Sequence, residues 1–221
     1  MLLDVHTHRL PDDASTALLS CSLRDVPLPE EARFLSVGIH PWYITREDYG
    51  SQMEWVERML DDRRVIALGE AGLDKRCATP FDLQLEAFRY VARLADEREL
   101  PLLIHAVKVT EELFAIKKEM RPRNAWIIHG FRGKKELAES LLGQGFYLSF
   151  GEKYQPEALR ITPEDRLLLE TDEATADIAD VYERVARERK RGLEELTAKV
   201  HSEFYFTSLL QWFLQGRRSP D

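Results

Sequence analysis

Leu2-Leu3-Asp4-Val5-His6-Thr7-His8 sets one carboxylate and two imidazoles at alternate positions. A β-strand points successive side chains to opposite faces, so Asp4, His6 and His8 share one face while Leu3, Val5 and Thr7 share the other. Two imidazoles then converge on one point. Neutral imidazole is the commonest protein metal ligand, and a bound cation accounts for two histidines aimed inward from an otherwise apolar strand. The plain alternative is a pair of solvated histidines on a frayed segment. The rest of the chain decides between them.

At 221 residues with 44% hydrophobic content, the chain can bury a substantial core, and it reads as a single domain spanning residues 1–221. No repeat period, heptad run or low-complexity segment interrupts it, and no stretch approaches the roughly 18 apolar residues of a membrane span. No apolar run of a secretory leader precedes Asp4 and His6, and two cysteines, Cys21 and Cys77, are too few for a disulfide framework. The expectation is a cytoplasmic, monomeric protein with no membrane association. The net charge of −8 argues against broad coating of nucleic acid, so any phosphate site must be local.

Short apolar, β-branched runs alternate with longer amphipathic ones, as in a parallel sheet with helical crossovers. Eight strands are expected near Leu2–His8, Thr16–Ser22, Phe34–Ile39, Val65–Glu70, Leu102–His105, Ala125–His129, Phe146–Phe150 and Arg166–Thr171. Only the first two connections lack a helical signal. Thr79-Pro80-Phe81-Asp82 predicts an N-cap followed by proline at the first helical position, and the long helix after it carries an apolar stripe of Phe81, Leu85, Phe88, Ala92 and Ala95. Further helices are expected over Lys134–Leu142, stopped by Gly143, over Thr175–Arg191, stopped by Gly192, and over Leu193–Leu214. The aromatics of the last one (Phe204, Tyr205, Phe206, Trp212, Phe213) read as packing surface. Strands in βα order predict an α/β fold of the TIM (β/α)8 barrel type, slightly trimmed in its first units. In such a barrel the active site gathers at the C-terminal ends of the strands.

Polar residues ending apolar runs are therefore the candidates. His40, Glu70, His105, His129 and Asp172 each do so, which puts five of the six histidines at predicted strand ends. His201 falls in the last helix and reads as ordinary surface or packing. A lone histidine or glutamate at a strand end is commonly a loop anchor, but so many buried imidazoles and carboxylates without partners would cost several kcal/mol each. Divalent cations would offset that cost. Four histidines with Glu70 and Asp172 exceed the needs of one tetrahedral zinc and point to two metals sharing a carboxylate and a water.

Asp4-Val5-His6-Thr7-His8, Gly38-Ile39-His40-Pro41, Gly69-Glu70-Ala71-Gly72-Leu73-Asp74, Pro101-Leu102-Leu103-Ile104-His105, His129-Gly130-Phe131-Arg132-Gly133 and Leu169-Glu170-Thr171-Asp172, in this order, resemble the successive motifs of the TatD family of metal-dependent deoxyribonucleases, within the amidohydrolase-like superfamily. The resemblance implies a barrel. It also implies that His6 and His8 hold one metal and His105 and His129 the other, that Glu70 bridges them, and that Asp172 completes the first site and handles the water. His40 would lie beside the metals as a substrate contact or supporting group, and Asp4 would stand behind them. Three features depart from the family pattern. The stretch from His8 to Gly38 is short, opening one wall of the cleft. Glu173-Ala174-Thr175 replaces a proline-containing turn, and Ala106-Val107-Lys108 stands where an arginine is usual.

Cations bridged by Glu70 would lower the pKa of a shared water from about 16 toward neutrality, supplying the nucleophile. No serine or cysteine sits in a nucleophile elbow. Lys75, Arg76, Lys108, Arg132, Lys134, Lys135 and Lys153 follow strand ends and would ring the same face, among interspersed acids that would otherwise make it a plain solvated rim. Of these, Lys75, Lys108 and Arg132, with His40, are the expected substrate contacts. The implied substrate is DNA or another phosphodiester, cut at ends or in single strands without sequence specificity. A small-molecule amidohydrolase or esterase is the competing expectation, and Glu70 in the bridging place, rather than a carboxylated lysine, favours the nuclease. The donor set suits zinc, manganese or iron, whereas the resemblance implies magnesium.

Overall fold

The computed structural model describes residues 2–204, with side chains through residue 198. Eight strands pair in chain order: β1 (Asp4–Thr7), β2 (Ala17–Cys21), β3 (Phe34–Val37), β4 (Val65–Asp74), β5 (Leu102–Val107), β6 (Trp126–Ile128), β7 (Tyr147–Phe150) and β8 (Leu167–Leu169). Every pairing is parallel. Just past β8 the ring closes. Thr7 bridges Asp172 in parallel, the His8 N–H donates to the Asp172 carbonyl at 3.2 Å, and the Asp172 N–H donates to the His6 carbonyl at 2.9 Å. The seam is narrow, resting on this one bridge and its two hydrogen bonds. The expected TIM-type α/β barrel is what the chain forms.

Helices α1 (Tyr49–Met59), α2 (Phe81–Glu97), α3 (Thr110–Met120), α4 (Lys135–Gly143), α5 (Pro156–Ile161), α6 (Ile178–Arg189) and α7 (Leu193–Phe204) cover the outside. None lies between β1 and β3, where only one-turn 3-10 segments, Ala14–Thr16 and Leu23–Asp25, fill the connections. The trimming read from the sequence is thus real. The hydrophobic core is the shell between strands and helices, where Phe88 of α2 meets Trp126 of β6 edge to face at 5.5 Å. Tyr182 of α6 fastens the shell to β1, its hydroxyl donating to the Leu3 carbonyl at 3.0 Å. No helix among the described residues is long and apolar enough to cross a membrane.

Several local expectations are corrected. Pro80, with Thr79 behind it, caps α2 without a side-chain hydrogen bond. Gln84 instead ties the entry, accepting from the Asp74 N–H at 2.7 Å and donating to the carbonyls of Asp74 at 3.1 Å and Thr79 at 2.8 Å. The buried stripe of α2 runs through Leu83, Ala87 and Val91 beside Phe88, Ala92 and Ala95, leaving Phe81 and Leu85 half-buried, because the helix lies over β4 and buries a wider face. Helix α4 runs through Gly143, and the left-handed turn comes at Gly145 (φ +74°). Helix α6 ends at Lys190 in the left-handed region, before Gly192. Strand β4 continues four residues past Glu70, since Ala71–Asp74 pair with Ile104–Val107 of β5. Of the predicted last helix, residues 205–214 and the side chains of His201 and Phe204 lie outside the described residues.

Candidate active site

At the C-terminal end of the barrel, five imidazoles surround one carboxylate. Glu70, buried in β4, has Oε1 at 2.9 Å from His40 Nε2, 2.8 Å from His105 Nδ1 and 2.7 Å from His129 Nε2. Its Oε2 lies 3.4 Å from His6 Nε2 and 3.3 Å from His8 Nε2. Each histidine comes from a different strand end except His6 and His8, which β1 delivers together through its alternation. Asp172 reaches the same place from the residue that closes the barrel: its Oδ1 is 3.8 Å from both His6 Nε2 and His8 Nε2. Asp172 has φ +57°, a left-handed backbone that aspartate tolerates better than most residues.

The electrostatics follow from this packing. Burial would raise the Glu70 carboxyl, but His129, His105 and His40 overcome it and hold the group well below the usual carboxylate range. Burial would likewise lower His129, yet the Glu70 and Glu170 carboxylates push it well above an ordinary histidine. His8 is raised despite its burial by the Glu70 and Asp172 carboxylates, whereas burial prevails at His40 and lowers it. Asp4 is raised to about 7 by burial. Its carboxyl accepts from the Thr171 N–H at 3.0 Å and hydroxyl at 2.6 Å, so it staples β1 to the end of β8 rather than orienting an imidazole ring.

The donor atoms fit divalent cations. His6 is fully buried and neither of its ring nitrogens makes a hydrogen bond, which is a costly state that a cation at Nε2 would relieve. Donor atoms of His6, His8 and Asp172 lie within 4.8 Å of one another, as do those of His6, Glu70 and His129, and of His40, Glu70 and His105. The first triplet is the one the resemblance implies. In the others His40 stands as close to Glu70 as His105 does, and His105 pairs with His40 rather than with His129.

The cleft above these donors measures about 1380 Å³. Arg76, Lys108, Arg132 and Lys134 line it, with an Arg132 guanidinium nitrogen 3.8 Å from Asp172 Oδ2. Lys75 does not line it, contrary to expectation. Its ammonium pairs with Glu112 and lies 5.7 Å over the Phe81 ring, so Arg76 faces the cleft in its place. Lys135 and Lys153 also stand outside. Three supporting residues escape a search for strand-end ligands. Asp74, at the end of β4, lies 3.2 Å from His105 Nε2 and accepts from Trp42 Nε1 at 2.7 Å. Its carboxyl is lowered, since hydrogen bonds from Trp42, the Arg76 N–H and His105 outweigh its burial. Glu170, fully buried, sits 3.8 Å from His129 Nδ1 and accepts from the Gly130 N–H. Arg24 of the second 3-10 turn lines the trimmed wall. A second carboxylate close in sequence to a candidate ligand, four positions on from Glu70 at Asp74 and two before Asp172 at Glu170, was the available signal for the first two.

A closed parallel barrel with imidazoles and carboxylates converging at the strand ends is the architecture of metal-dependent hydrolases. Residues 25–204 match the family described as TatD related DNase, and the chain belongs to that family. It is 36% identical over 163 residues to the uncharacterized metal-dependent hydrolase YabD of Bacillus subtilis, covering 67% of this chain and 62% of that protein. It is 30% identical over 148 residues to the 3'-5' ssDNA/RNA exonuclease TatD of Erwinia tasmaniensis, covering 62% of this chain and 56% of that one. The chain thus spans about three fifths of the length of these curated relatives. Among solved structures, the TatD homologue YJJV of Escherichia coli superposes with a TM-score of 0.78 at 18% identity, over 94% of this chain and 98% of that one. A TatD-family hydrolase of Entamoeba histolytica gives 0.74 at 17% identity, covering 94% and 97%.

Proposed function

We propose that this chain is a divalent-cation-dependent phosphodiesterase that cleaves DNA at ends or in single strands. The carrying observation is the convergence of five imidazoles on Glu70 with Asp172 alongside, at the floor of a cleft lined by Arg76, Lys108, Arg132 and Lys134. Two cations, magnesium, manganese or zinc, would be held by His6, His8 and Asp172 on one side and by His105 and His129 on the other, with Glu70 shared between them and His40 beside His105. Bound there, they would supply Lewis acidity toward a phosphoryl oxygen and toward water.

The chain's own residues do the rest. Glu70 stays ionised because the histidines around it stabilise its charge, so it can serve both cation sites. Asp172 presents Oδ1 beside His6 and His8 and Oδ2 toward Arg132, a position from which it orients the attacking water and accepts its proton. His40, hydrogen-bonded to Glu70, holds that carboxylate in register. Arg132, Lys108 and Arg76 grip the phosphates. Cys21, which lines the cleft, is not a candidate nucleophile: burial pushes its thiol up to about 12, leaving it protonated at neutral pH.

The test is digestion of an end-labelled single-stranded oligonucleotide by protein stripped with chelator and reloaded with magnesium, manganese or zinc. Metal-dependent shortening is expected, lost in Glu70→Ala and Asp172→Ala while circular dichroism is unchanged. An intact oligonucleotide alongside turnover on an ester or amide panel would replace this reading with the small-molecule hydrolase. Wild-type turnover in either variant would overturn the assigned roles.

A further inference from the structure

Two of the four large apolar side chains left exposed among the described residues stand side by side at the mouth of the cleft. Trp42 is 50% exposed and Tyr43 is 42% exposed. Both follow His40-Pro41 after β3, next to the wall where the barrel lacks its first helices. Trp42 is bare but not loose. Its Nε1–H donates to Asp74 Oδ2 at 2.7 Å, and its ring stands edge-on to His40 at 5.1 Å and to His105 at 5.4 Å. The indole is therefore held in one orientation, against the ligand cluster, with half of its surface open to the cleft.

A fixed, exposed aromatic beside a phosphodiester site fits a flat π-bearing group attached to a phosphate. The neighbouring cation agrees: Arg24 lies 4.2 Å over the Tyr43 ring and lines the same wall, within the cleft that a strand would follow. A cleft of about 1380 Å³ also exceeds the space of a single small ligand and admits more than one nucleotide.

We propose that Trp42 is a nucleobase platform, on which an unpaired base flanking the scissile phosphate stacks while Arg24 holds that nucleotide's phosphate. In a duplex both faces of each interior base are already covered by neighbours, so the platform selects single strands and frayed ends. This inference rests on the phosphodiesterase reading of the site, and it assigns specificity to residues outside the ligand set.

The experiment is equilibrium anisotropy in magnesium buffer with two labelled probes: a short phosphorothioate oligothymidylate, which resists cleavage, and the same backbone carrying abasic units. Wild type is expected to bind the base-bearing strand about tenfold more tightly. Trp42→Ala should erase that preference, and Trp42→Phe, which keeps a ring but loses the bond to Asp74, should retain most of it. The proposal is overturned by absence of oligonucleotide binding, by equal affinity of wild type for the two probes, or by an unaltered preference in Trp42→Ala. An equal loss in the Phe and Ala variants would assign the effect to Asp74 and also overturn it. Binding here needs no turnover, so failure of the nuclease reading shows separately, as undigested DNA in the cleavage assay.

Discussion

Alanine in place of Gly72 should damage fold and site together. Gly72 of β4 lies opposite His105 of β5, and an added Cβ would overlap the His105 carbonyl oxygen and sit 2.7 and 2.8 Å from that residue's carbonyl carbon and nitrogen. These are backbone atoms, so no rotamer change relieves the overlap. The strands must part by about 1 Å in an interior packed at crystal density, and such overpacking costs about 1–3 kcal/mol. Each ladder bond weakened nearby, such as Lys75 N–H to the Val107 carbonyl at 3.2 Å, adds about 1 kcal/mol. The expected loss is about 3 kcal/mol of a total of about 5–15 kcal/mol. His105 moves with its backbone, away from a 2.8 Å contact with Glu70, and a displacement of that size lowers turnover about 100-fold. Urea unfolding reads the first effect and the oligonucleotide assay the second. Gly50→Ala in α1 is the control: nothing lies within 4 Å of its new methyl, and it should gain about 0.5 kcal/mol. Gly72→Ala unfolding at the wild-type midpoint with an unchanged m-value would refute the reasoning.

Lys117, whose ammonium lies 4.5 Å over the Phe146 ring, is lowered by burial and by Arg166 from its ordinary 10.5 to about 8. Between those values the unfolded chain binds the extra proton, so stability contributed by this residue rises with pH from about 8 to 10.5, by about 2 kcal/mol after discounting its water-facing part. Denaturation of wild type minus Lys117→Met across that window isolates the slope, because the opposing Cys21 and tyrosine titrations cancel in the difference; a flat difference removes Lys117 as the cause. Asp74→Asn should cut metal affinity or turnover about 10- to 100-fold with the fold intact, read by metal titration of activity, since the carboxylate beside His105 fixes that ring. Divalent cation at about a hundred times its Kd should stabilise chelator-treated protein by about 2.7 kcal/mol in a melting scan, and Glu70→Ala should abolish the shift.

The alternation in Asp4–His8 and the run of β-branched segments made the barrel and most of the ligand cluster legible, because period-two patterning and strand-end chemistry are local properties of the chain. The absence of helices between β1 and β3 was equally readable, as a short segment without apolar periodicity. Local cues failed where long-range pairing decided the outcome. Strand β4 runs on to Asp74 because β5 offers partners as far as Val107, and Lys75 turns outward because Glu112 of a later helix is there to meet it.

From the sequence alone came the fold class, the family motifs and the identity of the residues that gather around Glu70. Only the tertiary structure decided that His40 stands as near that carboxylate as His105, that Asp74 and Glu170 back the imidazoles, and that Trp42 is pinned yet bare. The reason is physical: which residue types can bind a cation is written in their chemistry, but which of them meet depends on loops crossing between strands tens of residues apart.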